Sequence, residues 1–599
     1  MKRVVLAGLF IIIIGCFLTA CKFQDNIKTK EEAEGAVSGT FRGEAKEQEE
    51  YILVEVMLQK NQISHIEILK HNETPGFEKA MTQLIDDIVA KNSIEVDAVS
   101  GATKTSKRFL KAVENAITAA GITSKDLPPI EELSNKADEK SSKIDCDILI
   151  IGAGGAGLSA AIEARSEGDD RVVLLEKMSF GGGNTRMSGG EYAAPGNWVQ
   201  TSLGIEDSED LFFKDIYEGG NKKGNKDLIN IVVQNALPNA YWLRDFVGVE
   251  YKDYQSWYGG HTVSRTLWPV GDGPKYVDTL IDKAVELGAN IHYNTRAEEF
   301  IVNEEGKVIG VRAKRSGKII EYIAEKGVIL ATGGFGANVE MRMKYDTRWN
   351  GLDESIPTTN SPAIVGDGLI MAEKAGANFI GLGDIQLYPI NNPATGNYYF
   401  MDYARLNSNA LLVNKNGKRF VDEKDTRDRL SNAMLKQPDA KVYELIDSQV
   451  IQDMKLELLY ENEIVKCYEQ GVLVRGSLQD CCDYFDLPLE KVKKTINRFN
   501  SFAEKGKDED FGRTKNLEKI GDDTYYMFSC IVSVHHTMGG VEIDTHARVI
   551  GKDGKPIKGL YAAGEVTGGI HGENRLGSLS MPDTVTFGRI AAQSAKTMK

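Results

Sequence analysis

The chain has 599 residues with a formal net charge of −15 at pH 7, and 42% of its residues are hydrophobic. At roughly 100–200 residues per domain, this length predicts about three domains with sizeable cores. The 87 acidic and 72 basic residues are interspersed, which argues against nucleic acid as a partner because such a face needs clustered positive charge. Seven cysteines and eight histidines are too few for a disulfide scaffold or a histidine-rich metal cluster.

The N-terminus has the pattern of a secretory signal. A basic pair at residues 2 and 3 precedes an apolar run over residues 4–17, and Leu18-Thr19-Ala20-Cys21 follows. The run is shorter than the about 20 apolar residues that a transmembrane helix needs. Leu-x-Ala-Cys resembles the lipobox of bacterial lipoproteins. This resemblance implies a signal peptide over residues 1–20 and a lipid on Cys21, which would anchor the protein at the extracytoplasmic face of the cell membrane, away from cytoplasmic NADH.

Residues 35–121 have the pattern of a small α+β domain. Alternating apolar residues over 51–58 and 63–69 predict paired strands, and the apolar periodicity of residues 106–120 predicts a helix. Residues 122–143 are polar and contain Pro128-Pro129. This composition predicts a linker to the rest of the chain.

A candidate flavin attachment site precedes the predicted helix of the small domain. Ser100-Gly101-Ala102-Thr103 on its own is equally typical of a turn with a helix N-cap. With Asp97, however, it resembles the flavinylation motif of FMN-binding domains such as those in sodium-translocating quinone reductases, and Glu73-Thr74-Pro75-Gly76 resembles the same family. The resemblance implies covalent FMN on Thr103, with Asp97, Ser100 and Gly101 recognised by a flavin transferase.

From residue 144 onward strands alternate with helices, which predicts an α/β domain with a parallel sheet. The apolar strand 147–151 runs into Gly152-Ala-Gly154-Gly-Ala156-Gly157, and the next strand ends at Glu176. A Gly-x-G-x-x-Gly turn between strand and helix predicts a dinucleotide pyrophosphate at the helix N-terminus and ribose hydroxyls on Glu176. Later glycine-rich turns favour FAD, although NAD alone stays open. The predicted non-covalent FAD site comprises Gly154, Ala156, Gly157, Glu176, Gly183, Asn184, Thr185, Gly333, Gly334, Asp367, Glu565 and Leu579.

A cluster of polar groups near the C-terminus is a candidate substrate site. Four of the eight histidines lie between residues 535 and 571, close to Arg575 in a loop bounded by glycines. A structural role is the ordinary expectation for any one histidine. Arginine and histidine together, however, suit a carboxylate, because the guanidinium offers a planar fork of donors for two oxygens.

From about residue 145 to its end the chain resembles the flavin subunits of soluble fumarate reductases and flavocytochrome c reductases. The resemblance lies in His-His-Thr-Met-Gly-Gly (535–540), Asn-Arg-Leu-Gly (574–577) and Thr-Arg-Asp (426–428). It implies a Rossmann-like FAD domain over residues 144–384 and 534–599 with a capping domain inserted at 385–533. It also implies that His535 and Arg575 hold the substrate carboxylate.

In that family the FAD N5 delivers hydride to one alkene carbon, and the resemblance implies that Arg427 protonates the carbon beside the carboxylate. Asp402 and Arg405 are candidates for a relay that reprotonates Arg427. A backbone-rich cation site of some family members is matched by Thr537, Met538, Gly539, Glu565 and Thr567, and no other metal is expected.

The substrate is predicted from departures from the fumarate reductase pattern. Tyr388-Pro389 stands where those enzymes have His-Pro, so a second substrate carboxylate loses a donor. Tyr388, Asp402, Glu191 and Tyr258 instead resemble positions in urocanate reductases. Two carboxylates can pair with an imidazolium, and an aromatic face can stack on it. Solvent-facing loop carboxylates remain the alternative for Glu191 and Asp402.

The predicted protein is thus a lipid-anchored reductase of anaerobic respiration. It takes electrons from a membrane donor through FMN and FAD and reduces urocanate to dihydrourocanate, the imidazole propionate. Fumarate and cinnamate- or methacrylate-type acids stay open as substrates. An FMN/FAD electron-transfer lipoprotein without a substrate is the alternative class, and such a carrier does not need Arg427 and Arg575.

Overall fold

The computed structural model describes residues 37–47, 50–59, 61–73, 78–99, 102–127, 142–166, 168, 170–315, 318–521 and 523–597. The predicted lipid site Cys21, and Ser100 and Gly101 of the predicted flavinylation motif, lie outside the described residues. Among the helices in these ranges, none is long and apolar enough to cross a membrane.

The N-terminal domain is an antiparallel sheet of order β1-β2-β3 packed against two helices. Its elements are β1 (Gly39–Glu47), β2 (Glu50–Gln59), β3 (Gln62–His71), α1 (Glu78–Lys91) and α2 (Thr103–Ala119). The two predicted strands are β2 and β3. The sequence did not reveal β1, since most of its side chains are exposed and its apolar alternation is weak. Gly43 lets this strand close onto α2, because a Cβ there would lie 2.1 Å from the Ala112 carbonyl oxygen.

The remaining described elements form two larger sheets, two small sheets that pair β6 with β7 and β12 with β18, and the helices around them. The strands are β4 (Ser142–Ile151), β5 (Val172–Leu175), β6 (Tyr192–Ala193), β7 (Thr266–Leu267), β8 (Asn290–His292), β9 (Thr295–Val302), β10 (Val308–Arg315), β11 (Lys318–Leu330), β12 (Phe379–Ile380), β13 (Ile385–Asn391), β14 (Leu411–Asn414), β15 (Val442–Asp447), β16 (Leu473–Gly476), β17 (Tyr525–Thr537), β18 (Gly540–Val541), β19 (Arg548–Ile550) and β20 (Pro556–Ala562). The helices are α3 (Gly155–Ser166), α4 (Gly183–Met187), α5 (Trp198–Leu203), α6 (Glu209–Gly219), α7 (Lys226–Tyr241), α8 (Asp272–Glu286), α9 (Val339–Tyr345), α10 (Asp367–Lys374), α11 (Tyr403–Asn407), α12 (Arg427–Leu435), α13 (Ser448–Asp453), α14 (Leu456–Leu459), α15 (Glu461–Glu469), α16 (Leu478–Tyr484), α17 (Leu489–Lys505) and α18 (Ser580–Thr597). Short 3₁₀ turns cover Ser124–Asp126, Phe400–Asp402, Pro438–Ala440 and Gly564–Val566, and Trp242–Val247 is a π-helical turn.

The first large sheet has the order β19-β20-β11-β4-β5-β8, and β9 and β10 extend it beside β11. The pairs of β4 with β5 and β11, of β5 with β8, and of β11 with β20 are parallel. The end of β4 and all of β5 are continuous buried apolar runs. Such runs are typical of parallel strands covered on both faces. The predicted α/β, Rossmann-like FAD domain with a separate small α+β domain is confirmed.

The second large sheet lies within residues 385–537 and has the order β13-β17-β15-β14, with β16 also beside β17. Every residue of β13 and β15 is buried. This sheet carries Tyr388 on β13, Glu444 on β15 and His535 on β17, while α12 begins at Arg427. The segment predicted as a capping domain therefore supplies several of the predicted site residues.

The N-terminal domain packs directly on the FAD domain. Val99 and Ala102 of the predicted flavinylation motif share one buried apolar cluster with Met178, Phe180 and Ala363. These two residues therefore pack against the large domain.

Candidate active site

The glycine turn after β4 has room for a ligand on one side only. A Cβ on Gly157 would lie 1.9 Å from the Gly152 carbonyl oxygen, so this position must be glycine for α3 to approach β4. Around Gly154 the nearest atom to such a Cβ is the Gly182 oxygen at 3.8 Å. The Gly155 N–H donates to Thr185 Oγ1 at 3.1 Å. The open space beside Gly154, at the N-terminus of α3, suits a pyrophosphate.

Glu176 is held at the end of β5 by backbone donors. Its Oε2 accepts from the Ala153 N–H at 2.9 Å, and its Oε1 accepts from the Met178 N–H at 2.9 Å. Burial raises the pKa of Glu176, although these hydrogen bonds oppose the shift. The carboxyl group is thus fixed in the position that the sequence predicted for a ribose contact.

An elongated cavity of about 1680 Å³, its open mouth included, runs along the carboxyl ends of the parallel strands. This crevice is where α/β sheets bind nucleotides. Gly157, Gly334 and Leu579 do not line it, and a Cβ on Gly334 would lie 1.9 Å from Thr537 Oγ1, so that glycine serves packing. The predicted FAD residues that line it are Gly154, Ala156, Glu176, Gly183, Asn184, Thr185, Gly333, Asp367 and Glu565.

Among the described residues that line this cavity, three have a polar side-chain atom that is buried without a hydrogen-bond partner. These atoms are Thr332 Oγ1, the Tyr403 hydroxyl oxygen and Arg575 Nε. A buried donor without a partner is costly, so these atoms indicate groups that a ligand satisfies. Together with the open turn at Gly154, the residues present fit FAD along the cavity and an anion at the Arg575 end.

Gln386 on β13 connects the two predicted substrate arginines. Arg427 Nη1 donates to Gln386 Oε1 at 3.4 Å, and Gln386 Nε2 donates to the Arg575 carbonyl oxygen at 2.8 Å. The sequence analysis did not identify Gln386 as a site residue. Its position directly before the Leu387-Tyr388 strand segment was the available signal.

Arg575 is buried, with 4% of its surface exposed, and its Nη1 donates to the Leu576 carbonyl oxygen at 3.0 Å. Burial, with Arg427 nearby, lowers the pKa of Arg575 to about 9. In the described part of the chain neither arginine forms an ion pair within 4.0 Å. Two neighbouring guanidinium groups without a carboxylate partner make an anion site, because buried charge requires compensation.

His535 faces the same end of the cavity. Its Nδ1 lies 2.8 Å from Thr359 Oγ1, which leaves Nε2 as the ring nitrogen available to a ligand. Burial lowers the pKa of His535 well below its usual range, and Arg427 and Arg575 lower it further. The imidazole is therefore neutral at neutral pH and can donate a hydrogen bond without adding a third positive charge.

Glu191 and Tyr258 lie together near Arg427, whose guanidinium carbon is 5.9 Å from the centroid of the Tyr258 ring. The Tyr258 hydroxyl donates to Glu191 Oε1 at 2.8 Å, and both residues line the cavity. Two glycines make room for them. A Cβ on Gly577 would lie 2.4 Å from the Tyr258 ring, and one on Gly189 would lie 2.8 Å from the Glu191 carboxyl carbon.

An aromatic wall, defined as Trp268, Tyr398, Phe400 and Tyr403, surrounds this pocket and was not predicted. The ring centroids of Trp268 and Tyr403 are 4.6 Å apart, and those of Tyr398 and Phe400 are 5.3 Å apart. Tyr388 joins the wall at 5.6 Å from Tyr398 and also lies 5.0 Å from His535. The aromatic run at residues 398–400 was the available sequence signal. The arrangement suits a planar ring attached to a carboxylate.

Asp402 does not line the cavity and is fully buried behind Tyr388. Arg405 binds both of its oxygens, Nε to Oδ1 at 2.5 Å and Nη2 to Oδ2 at 2.8 Å. The Tyr388 hydroxyl donates to Oδ2 at 3.3 Å, and the guanidinium carbon of Arg427 lies 4.7 Å from the Tyr388 ring centroid. The predicted pair of ring-binding carboxylates is therefore not assembled here, since only Glu191 faces the pocket. The geometry instead suits Asp402 to the relay role.

The predicted cation residues come together beside the FAD cavity. The Thr537 N–H donates to Glu565 Oε1 at 3.0 Å, and Thr567 Oγ1 donates to the Gly564 carbonyl oxygen at 2.8 Å. The Met538 N–H donates to the backbone carbonyl oxygen of Asp384 at 2.9 Å, and Gly539 follows in the same turn. Cation binding there stays a prediction.

In the N-terminal domain Thr103 is exposed at the first residue of α2, and Asp97 is exposed too. Glu73 is buried and anchors its loop to that helix, accepting from Thr105 Oγ1 at 2.5 Å and pairing with Arg108. The geometry leaves the Thr103 hydroxyl open to solvent. Attachment of FMN at this residue stays a prediction.

Comparisons with known proteins agree with this architecture. Residues 147–581 match the family described as "FAD binding domain", and residues 49–118 match "FMN-binding domain". The chain is 37% identical to a urocanate reductase of Eggerthella lenta, over 95% of this chain and 93% of the relative. It is 34% identical to an acrylate reductase flavoprotein subunit of Shewanella woodyi, over 81% of this chain and 97% of the relative. The chain also resembles the structure of the open conformation of a flavocytochrome c3 fumarate reductase. The two are 33% identical and align with a TM-score of 0.62, over 76% of this chain and 78% of that chain.

Fold, site and comparisons together define a flavin-dependent reductase of C=C bonds that uses FAD and FMN. The chain belongs to the fumarate reductase and flavocytochrome c family of flavoproteins, as a urocanate reductase-like member with an N-terminal FMN-binding domain. Its reaction class is the reduction of an enoate, an α,β-unsaturated carboxylate.

Proposed function

We propose that the enoate is urocanate and the product dihydrourocanate. The observation that carries this proposal is the mixed lining of one pocket. Arg427, Arg575 and His535 line it together with Glu191 and several aromatic rings. Among the described residues lining this end of the cavity, Glu191 is the carboxylate that can accept from an imidazole N–H. The urocanate reductase of Eggerthella lenta is similar over nearly the whole chain.

The residues of the carboxylate end have distinct tasks. Arg575 offers its unpartnered Nε to the carboxylate, and neutral His535 adds a further donor. Arg427, oriented by Gln386, donates a proton to the carbon beside that carboxylate. The positive groups stabilise the negative charge that builds up there as the double bond is reduced. FAD bound along the cavity would supply the hydride.

Arg427 needs reprotonation after each turnover, because a guanidinium normally stays charged. Asp402 and Arg405 are the groups that return the proton, since they form a buried pair behind Tyr388, whose ring contacts Arg427. At the other end the substrate ring packs on Tyr258 and Tyr388. A protonated ring gains from both the aromatic faces and Glu191.

The cellular setting is also a proposal. The Leu-x-Ala-Cys pattern supports a lipid on Cys21 and an extracytoplasmic position at the cell membrane. A membrane donor would then supply electrons through FMN on Thr103, which a flavin transferase attaches. Mass spectrometry of wild type and Thr103→Ala tests the attachment, and the variant is expected to carry no covalent flavin.

Glu191→Gln tests the substrate. With reduced viologen as donor, purified holoenzyme is assayed with urocanate, acrylate, fumarate and cinnamate. Urocanate is expected to give the highest kcat/KM. Glu191→Gln should lower this value roughly ten- to hundred-fold, as expected for a lost hydrogen bond to a charged group, and should change acrylate turnover less than about two-fold because acrylate has no ring.

The exposed Glu304→Gln is the control variant, expected to match wild type. Fumarate turnover without urocanate turnover would contradict the proposal. An equal loss on urocanate and acrylate would show that Glu191 does not contact the ring.

A second candidate, reduction of cinnamate-type acids, is favoured by the aromatic wall. Trp268, Tyr398, Phe400 and Tyr403 suit an uncharged ring as well as an imidazole. In this case cinnamate is the best substrate in the same assay, and Glu191→Gln leaves its kcat/KM within about two-fold of wild type because such a ring carries no N–H donor.

A further inference from the structure

A buried carboxyl group without an assigned role lies behind the relay. Glu444, in the middle of β15, has 0% of its surface exposed, and no group in the described part of the chain donates a hydrogen bond to either of its oxygens. Its remaining side-chain hydrogen bond is with the Asp402 carboxylate, to which a neutral Glu444 can donate. Arg405 Nε is 4.0 Å from Glu444 Oε2. A structural carboxylate at this depth should be hydrogen-bonded on both oxygens, since an unsatisfied buried charge costs several kcal/mol. Glu444 is not.

The groups that face Glu444 do not offer it a free counter-ion. Asp402 and Arg405 face it from the 3₁₀ turn and α11, and Lys424, Cys530 and Tyr399 face it from the neighbouring elements. Arg405 already binds the Asp402 carboxylate in a bidentate pair. Burial lowers the pKa of Lys424 well below its usual range, and its Nζ donates to the Arg405 and Ser408 carbonyl oxygens.

These surroundings favour the neutral acid. Burial raises the pKa of Glu444 well above its usual range, and the charge of Asp402 raises it further while Arg405 opposes the shift. A neutral carboxyl group beside an ionised one carries a proton that it can give away.

A small second cavity connects the buried pair with Arg427. It has room for about one water molecule. The residues that line it include Arg405, Arg427, Tyr388 and Tyr258. From the inside outward the order is therefore Glu444, the Asp402–Arg405 pair, this cavity and Arg427. Each neighbour in this order is either in contact or separated by one water-sized gap.

We propose that Glu444 stores the proton that recharges Arg427 while substrate fills the active site. This inference rests on the proposed function only in that the reaction takes one proton from Arg427. Glu444 acts through Asp402 and Arg405 and does not touch the substrate.

When Arg427 has given its proton to the substrate carbon, Arg405 passes one proton to it through the water-sized cavity. The Asp402 carboxylate takes the proton of Glu444 as it returns one to Arg405. Asp402 and Arg405 therefore end as they began, and the net change is one proton from the Glu444 carboxyl group to Arg427. Glu444 is left as a carboxylate facing Arg405, and solvent returns its proton after the product leaves.

The sharpest test compares the first turnover with the following ones in Glu444→Gln holoenzyme. In wild type and variant alike Arg427 starts protonated, so the oxidation of pre-reduced enzyme by one equivalent of enoate should proceed at the same rate within about two-fold. Steady-state kcat with reduced viologen should fall at least about ten-fold, within the usual range for a lost proton-transfer group. The solvent deuterium isotope effect on kcat should rise.

Two further variants distinguish a proton-storage role of Glu444 from a purely structural role. Glu444→Asp retains a titratable carboxyl group and should recover part of the lost kcat. Asp447→Asn is the matched acid-to-amide control on the same strand, because Asp447 is 2% exposed and its oxygens accept from the Val450 and Gly521 N–H groups at 3.0 and 2.8 Å. It should leave the ratio of first-turnover to steady-state rate unchanged.

Three outcomes would overturn the storage role. They are an unchanged kcat in Glu444→Gln, an equal fall in first-turnover and steady-state rates, and a loss in Glu444→Asp as large as in Glu444→Gln. Failure of the proposed function looks different, since wild type then reduces no urocanate while Glu444→Gln can still be compared on acrylate or fumarate.

Discussion

Arg575 is a buried cation with an unsatisfied donor. This arrangement favours the site with an anion bound over the empty site. Its guanidinium is buried beside that of Arg427, and its Nε has no partner in the described part of the chain. Hydrogen bonds to a charged group contribute about 1.5–3 kcal/mol each when both partners are present. In the proposed function the substrate carboxylate supplies the missing partner, so binding energy would be concentrated at the end of the substrate where charge develops during reduction.

His535 provides a test of this electrostatic picture. An ordinary histidine has a pKa of about 6.5, but burial and two arginines lower the pKa of His535 well below this value. A lowered pKa means that the ring becomes protonated only at pH values well below 6.5. The NMR signal of ¹³C-labelled His535 should therefore stay constant between about pH 6 and pH 8.

With eight histidines in the chain, the His535 signal can be assigned by its loss in His535→Gln, and the exposed His546 serves as a reference that solvent reaches. This readout is independent of Glu463, whose pKa burial raises to about 7 and which titrates in the same range. A His535 signal that shifts with a midpoint near pH 6.5 would contradict the neutral donor.

At the scale of elements, the β4–α3 turn contains two glycines with different tasks. Gly157→Ala places a methyl group 1.9 Å from the Gly152 oxygen, so it should destabilise the apoprotein by about 1–3 kcal/mol or more. Gly154→Ala meets only an oxygen at 3.8 Å and should leave the apoprotein intact. Its methyl group points into the space assigned to FAD and should weaken FAD binding instead.

Thermal unfolding of apoprotein and titration with FAD separate the two effects. Gly157→Ala should lower the Tm with and without FAD, whereas Gly154→Ala should raise the Kd for FAD at an unchanged apoprotein Tm. If Gly154→Ala binds FAD as tightly as wild type, the pyrophosphate does not lie beside this turn.

The glycine turn and the aromatic wall differ in how far they could be predicted from the sequence. The turn Gly152–Gly157 is encoded locally, because the strand, the turn and the helix follow one another in the sequence. The glycines that its geometry requires are therefore recognisable as a short motif. The aromatic wall combines Trp268 with residues 398–403, more than 100 positions away, and no local pattern brings them together.

Asp402 was interpreted from the same kind of pattern, but its environment depends on tertiary contacts. Arg405 lies three residues later and forms an ion pair with Asp402, as side chains at this spacing can on a helix. That Tyr388 separates the pair from the cavity follows from the packing of β13 against the segment around Asp402, which the sequence does not reveal. The two relay candidates are therefore neighbours in the sequence, whereas the prediction of a ring contact needed the fold.

At the scale of the whole molecule, the contact between the small and large domains lies between the two flavin regions. Ala102 immediately precedes Thr103, the residue predicted to carry FMN, and packs in the same cluster as Ala363, which lines the cavity assigned to FAD. Met178 and Phe180 complete the contact without lining that cavity. The docked arrangement thus brings the predicted FMN attachment point close to the rim of the FAD site.

Phe180→Ser should loosen this contact and slow electron transfer from FMN to FAD. Phe180 is 9% exposed in the shared cluster, and removing such a ring from an apolar contact costs roughly 1–3 kcal/mol. Because electron transfer weakens steeply with distance, FAD reduction after photoreduction of FMN should slow at least several-fold. FAD content should stay at the wild-type level, and small-angle scattering should show a larger radius of gyration.

Phe246→Ser is the matched control, since Phe246 is 40% exposed in the π-helical turn and its loss should change neither quantity. If Phe180→Ser transferred electrons at the wild-type rate while the radius of gyration increased, the docked arrangement would not be the state that passes electrons. If neither quantity changed, the apolar cluster would not hold the domains together. A slower transfer with an expanded molecule, by contrast, would show that the contact of Val99 and Ala102 with Met178, Phe180 and Ala363 supports electron transfer.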